Sequence, residues 1–85
     1  ARQHPIAGGS RFHAGIDLEA PVSTPVFASA NGKVVFANWN GAHGKQIEVS
    51  HDAHWTTRYS HLDELLVTDG TVVKKGQVIG LVGVT

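Results

Sequence analysis

Cysteine is missing from the 85 residues. That excludes disulfide staples and thiolate zinc sites, and it leaves the redox compartment open, an oxidising envelope space included. Net charge is missing as well: seven basic and seven acidic side chains cancel when the histidines are neutral. Such a chain has no basic footprint for nucleic acid. No apolar run approaches the ~20 residues of a membrane-spanning helix, and no signal-peptide pattern is present. Nor does any stretch carry ten residues of helical apolar period. The length allows one small domain with modest burial.

Histidine is plentiful, with six in so short a chain, and this directs attention to metal chemistry or pH response. Phe12-His13-Ala14-Gly15-Ile16-Asp17 sets an imidazole and a carboxylate four positions apart. On a helix that spacing rises ~6 Å, which suits one shared ion. On a flat strand it spans ~13 Å, too far for two bonds of ~2 Å. Gly15 and the nearby Pro21 argue against a helix. A shared ion therefore requires the chain to bend between His13 and Asp17, and Gly15 permits the bend. The alternative is a surface histidine and a turn aspartate with no common role.

The rest of the chain reads as short strands between turns. Residues 1–10 form a loop, with His4-Pro5 and Gly8-Gly9-Ser10 as turn material. Pro21 and Pro25 make residues 21–25 a connector. Val26-Phe27-Ala28 and Lys33-Val34-Val35-Phe36-Ala37 are strands joined across Asn31-Gly32, a hairpin-turn dipeptide. Residues 39–45 form a loop carrying Trp39 and His43. Residues 46–51 alternate, with Ile47, Val49 and His51 on one face. After a turn at 52–54, residues 55–62 alternate again. Thr57, Tyr59 and His61 share one face; Arg58, Ser60 and Leu62 share the other. Residues 63–66 read as a single turn, and Asp69-Gly70 as another. Thr71-Val72-Val73 and Gln77-Val78-Ile79 flank Lys74-Lys75-Gly76. The fold class is all-β: a small antiparallel sheet of short strands.

Three residues stand out as chemistry-bearing: His13, Asp17 and His61. A catalytic zinc site needs about three protein ligands and an open position for water. A neighbouring histidine accepts a proton or stabilises an oxyanion. His61 fits that second role if its face opens toward the His13/Asp17 bend; otherwise it is a core-edge histidine bonded to a backbone carbonyl. His51, beside a turn, reads as structural. His43 and His54 read as exposed loop residues. Trp39 and Trp55 either rim a groove or pack over the core.

Together the stretches RQHPI, FHAGIDLEAP, TPVFASANGKVVFANWNGAHG, TTRYSHL and VVKKGQVIGLVG resemble the lysostaphin/LytM-type zinc metallopeptidases, which cut peptide cross-bridges of bacterial peptidoglycan. They stand in that family's order and cover nearly the whole chain. The resemblance implies that His13 and Asp17 ligate Zn2+, that His61 is catalytic, and that the sheet is a barrel-sandwich hybrid. It places the protein in the bacterial cell envelope, periplasmic or extracellular, with peptidoglycan peptides as substrate. Ser50-His51-Asp52 stands where the family has Asp-His-Gly, so only His51 carries over, as a structural residue. Ser23 replaces the usual glycine before Thr-Pro.

The largest departure is at the end. Family members continue into a Gly-rich loop and an H-x-H strand, which brings a second catalytic histidine and the third zinc ligand. This chain stops at Thr85, and it starts with Ala1. We therefore expect residues 1–85 to be a truncated catalytic domain, incomplete at the C-terminal strand and inactive alone, with that strand supplied by the rest of the parent chain. Two other readings are a non-catalytic module that binds or activates other cell-wall enzymes, and a lipoyl/biotinyl-like carrier, suggested by Lys74-Lys75-Gly76-Gln77-Val78-Ile79-Gly80. Retained His13, Asp17 and His61 speak against the first. The unused His/Asp motif speaks against the second.

Overall fold

A computed structural model describes residues 12–16 and 20–83. The expected N-terminal loop and Asp17 lie outside those residues. Seven strands follow in order: β1 (Phe12–Ile16), β2 (Pro25–Phe27), β3 (Gly32–Trp39), β4 (Lys45–Ser50), β5 (Trp55–Leu65), β6 (Val72–Val73) and β7 (Val78–Val82). The helical content among the described residues is one 3-10 turn, Gly41–His43. No helix among them is long and apolar enough to cross a membrane.

The strands form one sheet in the order β2-β7-β5-β4-β3-β6, with β1 added to β5. Six strands pair antiparallel, as expected of an all-β chain with short turns. The exception is β1, which runs parallel to β5 from Phe12↔Trp55 to Ile16↔Tyr59. The sheet curls on itself, because strands from both of its ends feed one core. Val26 of β2 and Val73 of β6 join Val34, Ile47, Val49, Tyr59, Leu62, Ile79 and Val82 in a single buried cluster. Ile47 and Val49 are fully buried, as the alternation in 46–51 predicts. Cutting such a residue back to alanine costs ~2–5 kcal/mol.

Two sequence expectations fail, each for a tertiary reason. Asn31-Gly32 does not join a hairpin, because β2 pairs with β7 while β3 pairs with β4 and β6. Asn31 is instead a junction: its carbonyl faces His51 Nδ1 at 2.7 Å and its Oδ1 accepts from Lys75 N at 2.8 Å. Gly32 is there for close approach, since a Cβ would sit 2.5 Å from the Ser50 carbonyl oxygen. Residues 63–65 are not a turn. They extend β5, because β7 pairs with them through Glu64↔Leu81 and Leu65↔Gly80. The connector at residues 21–25 is a turn as far as Thr24, whose N–H and hydroxyl both donate to the Pro21 carbonyl. Pro25 then opens β2, a first-residue position where its missing N–H is tolerated.

Gly83 carries the tightest contact near β5. Its N–H donates to the His61 carbonyl at 3.0 Å, and a Cβ there would meet Asp63 N at 2.7 Å and Leu62 C at 2.9 Å. Those are backbone atoms and cannot swing away. Gly15 is the opposite case, with nothing within 4 Å of its would-be Cβ. Gly83→Ala is expected to destabilise the fold by about 1–3 kcal/mol in urea unfolding, while Gly15→Ala changes it by less than ~0.5 kcal/mol.

Candidate functional site

His61 occupies an unusual point on β5. Thr57 and Tyr59 are buried, in step with the alternation. The next inward position is His61, yet His61 is exposed and Leu62 is buried in its place. The register explains the slip. Between Ile47↔Tyr59 and Lys45↔Leu62, β4 advances two residues and β5 three. The extra residue is a β-bulge, and His61 has φ +60° within it. The left-handed region is one that glycine usually fills at such bulges, although histidine is among the side chains that tolerate it. The strain is of order 1–3 kcal/mol. The expectation that His61 shares a face with Thr57 and Tyr59 is thus corrected: the bulge turns it out of the core.

The same point divides β5. One edge pairs with β4 along most of its length. The other edge pairs with β1 up to Tyr59 and with β7 from Leu62 onward. His13 therefore sits on a strand adjacent to that of His61. Its register partner is Thr56, five residues and ~16 Å short of His61 along an extended chain. Because β1 runs parallel to β5, the offset shrinks as it proceeds, and Ile16 is level with Tyr59. The register holds in step through Gly15 as far as Ile16, and the remainder of the expected bend between His13 and Asp17 lies outside the described residues. Asp17 lies outside the described residues. Among the described residues no three His, Cys, Asp or Glu side chains converge as a metal cluster.

Among the described residues, His43 brings its ring close to His61. Their centroids are 6.5 Å apart with planes tilted by 47°. His43 is exposed on the Gly41–His43 turn, as its loop position predicts, but its nearness to His61 is not visible in the motif. Counting register across the β4–β5 hairpin would have found it, since Lys45 pairs with Leu62 and puts residues 43 and 61 at one end of the sheet. A polar brace lies beside them. Gln46 is buried, and its Oε1 accepts from Ser60 Oγ at 3.1 Å and Asn40 Nδ2 at 3.3 Å. Its Nε2 donates to Glu48 Oε2 at 2.9 Å, which also pairs with Arg58 Nε at 3.3 Å. Lys45 Nζ donates to the Asp63 carbonyl at 3.0 Å, spanning the bulge.

His51 is structural, as expected. Its Nδ1 contacts the Asn31 carbonyl and its Nε2 the Thr57 hydroxyl, each at 2.7 Å. Its ring stacks on Trp55 with centroids 4.1 Å apart. A carbonyl only accepts, so Nδ1 carries a proton. From Thr57 the chain continues to the Tyr59 hydroxyl at 2.9 Å and on to Ser29 Oγ at 2.9 Å. Tyr59 also accepts from Ser29 N. With a neutral ring, protons in the hydroxyl chain point toward Nε2. With an imidazolium they point away, toward Ser29. His54 is exposed in the 52–54 turn, where its N–H donates to Asp52 Oδ1. His4 lies outside the described residues.

Comparison with known proteins fits this arrangement. Peptidase family M23 matches residues 11–85. The chain is 38% identical over 84 residues to the peptidoglycan DD-endopeptidase ShyB of Vibrio cholerae, covering 99% of this chain and 20% of that protein. It is 42% identical over 84 residues to the DD-carboxypeptidase/endopeptidase Mpg of Neisseria meningitidis, covering 99% and 19%. It thus spans about a fifth of the length of these curated relatives. Among solved structures, a zinc-containing peptidase from Vibrio cholerae superposes with TM-score 0.79 at 38% identity, covering 99% of this chain and 26% of that one. The catalytic domain of lysostaphin from Staphylococcus simulans superposes with TM-score 0.74 at 38% identity, covering 78% and 51%.

The hydroxyl chain gives a stability prediction. His51→Ala takes away one of the two partners of the buried Thr57 hydroxyl and removes the stacking on Trp55, at an expected cost of about 2–3 kcal/mol. Tyr59→Phe costs about 1–2 kcal/mol. Since both belong to one network, the double variant is expected to lose less than the sum by at least ~0.5 kcal/mol in urea unfolding. Strict additivity would mean that the chain does not act as a unit.

Proposed function

The chain belongs to peptidase family M23, and on that premise we propose that the protein carrying it is a zinc-dependent endopeptidase acting on the peptide cross-links of bacterial peptidoglycan. The observation that carries the proposal is the family match over residues 11–85 together with His13, Asp17 and His61 in their matching motifs. The names of the relatives support the substrate class, and that substrate places the protein in the cell envelope.

His13 and Asp17 are the proposed ligands. An imidazole and a carboxylate form a nitrogen-and-oxygen donor set of the kind zinc accepts in catalytic sites. The parallel pairing of β1 with β5 supports it, because the segment leading to Asp17 advances toward the His61 end of β5. A third protein ligand would come from outside these residues, and the resemblance assigns it to an H-x-H strand. When bound, zinc polarises a carbonyl and lowers the pKa of its water to roughly 7.

His61 is the proposed catalytic residue. The bulge holds its ring at the surface of the sheet, where an arriving peptide is accessible. From there its N–H can donate to an oxygen on which negative charge develops, or its unprotonated nitrogen can take up a proton. The strained backbone is retained because β4, β7 and the Gly83 N–H all fix the residues around it.

Variants of the full protein separate these roles. His13→Ala and Asp17→Asn are expected to reduce bound zinc from one per chain to near zero by elemental analysis. His61→Ala is expected to keep its zinc and lose roughly 10²–10⁴-fold in kcat. Zinc-loaded wild-type protein that cleaves none of several cross-linked muropeptides would remove the endopeptidase reading and leave a binding module.

A further inference from the structure

His43 has no role in the function proposed above, yet its ring lies close to that of His61. Its loop is locked. Asn40 N donates to the Gly44 carbonyl at 2.8 Å, His43 N to the Asn40 carbonyl at 3.0 Å, and Gly44 N to the Gly41 carbonyl at 3.0 Å. The Asn40 side chain is tied to Gln46, whose Oε1 also accepts from Ser60, next to His61. Both rings are exposed. Both are thus presented to solvent from braced backbone, one on a 3-10 turn and one on a bulge.

The 6.5 Å between the centroids discriminates between two kinds of ligand. For a tetrahedral ion with bonds of ~2.1 Å, and ring nitrogens ~1.1 Å from their centroids, the centroids would lie ~5.3 Å apart. The rings stand too far apart for that. For one oxygen accepting two N–H bonds of ~2.8–2.9 Å, centroids 6.5 Å apart make the bonds converge at ~110°. That is close to the ~120° between the lone pairs of a carbonyl oxygen. With one nitrogen of each ring aimed at a common point, this spacing suits a shared oxygen and is too long for a shared metal.

We propose that His43 is a second substrate-binding imidazole, donating alongside His61 to one oxygen of the bound peptide: the carbonyl oxygen of the scissile bond and the oxyanion it becomes. This deepens the proposed peptidase reading and rests on it for the identity of the substrate. Two donors on that oxygen, fixed before the substrate arrives, stabilise the charged form more than the neutral one. The effect therefore falls on kcat more than on KM.

The test uses the full-length, zinc-loaded protein and a cross-linked muropeptide. His43→Ala is expected to lower kcat by about 10- to 100-fold, with KM changed less than threefold and Tm within ~1 °C of wild type. His43→Gln, which keeps an N–H donor, is expected to recover most of the loss. A His43→Ala variant within twofold of wild type in kcat overturns the proposal while leaving the peptidase reading intact. A second arm does not depend on turnover. In the zinc-loaded protein the imidazole carbon and proton resonances are followed as the muropeptide is added. Joint shifts of His43 and His61 support the shared oxygen even where no cleavage follows. A shift of His61 alone, or of neither ring, overturns it.

Discussion

One inserted residue on β5 governs the arrangement around it. Up to Tyr59 the strand is flanked by β4 and β1; the β4 pairing ends at Lys45↔Leu62, and from Leu62 onward β7 takes the edge that β1 leaves. A strand has only two hydrogen-bonding edges, so a change of neighbour on one edge needs a local break in the ladder. The break is His61. Its left-handed backbone shifts the phase of the side chains by one, sends Leu62 into the core and leaves an imidazole outside. Core packing at Leu62, the seating of β7 and the exposure of the candidate catalytic ring follow from the same conformational event.

Much of this was legible in the residues, and the reasons for the rest are specific. Alternation in 46–51 and 55–62 identified β4 and β5, because each has one face on the core, although the phase in β5 breaks at His61. Gly-rich turns and the want of helical period identified an all-β chain. Asn31-Gly32 misled, because the dipeptide that favours a tight turn also suits a close crossing, and here Gly32 lies under the Ser50 carbonyl. The length of β5 was underestimated because Asp63 and Glu64 have weak strand preference, and only β7 makes them extended. The bulge was invisible to period counting, since its cause is the pairing on both sides rather than the local residues. His13 and His61 came from motif and resemblance. His43 required the hairpin register, which motif reading does not use.

A small domain without cysteine needs other ways of tying distant segments together. The imidazole of His51 is one of them. It joins the 28–32 segment to β5 through Asn31 on one side and Thr57 on the other, and the hydroxyls of Thr57, Tyr59 and Ser29 close the circuit. Asn31 extends the junction to Lys75. This polar tie lies at the core boundary, on the face of β5 that also carries Tyr59. It fixes the strand that presents His61 without drawing on His61 itself.

The unequal reach of the strand pairings sets an order of assembly. β3, β4 and β5 follow one another through connections of only a few residues, whereas Phe12 must find Trp55 and Pro25 must find Leu81. Closing a long loop carries a larger entropic penalty than closing a short one, and topologies rich in distant pairs form slowly. We expect the β3–β4–β5 meander to consolidate first, bringing His43 and His61 into place, and the strand bearing His13 to dock last. During synthesis that N-terminal strand leaves the ribosome well before its partner exists. Pulsed hydrogen exchange would read the sequence of events, in which the strand bearing His13 gains its protection after β3, β4 and β5 have gained theirs.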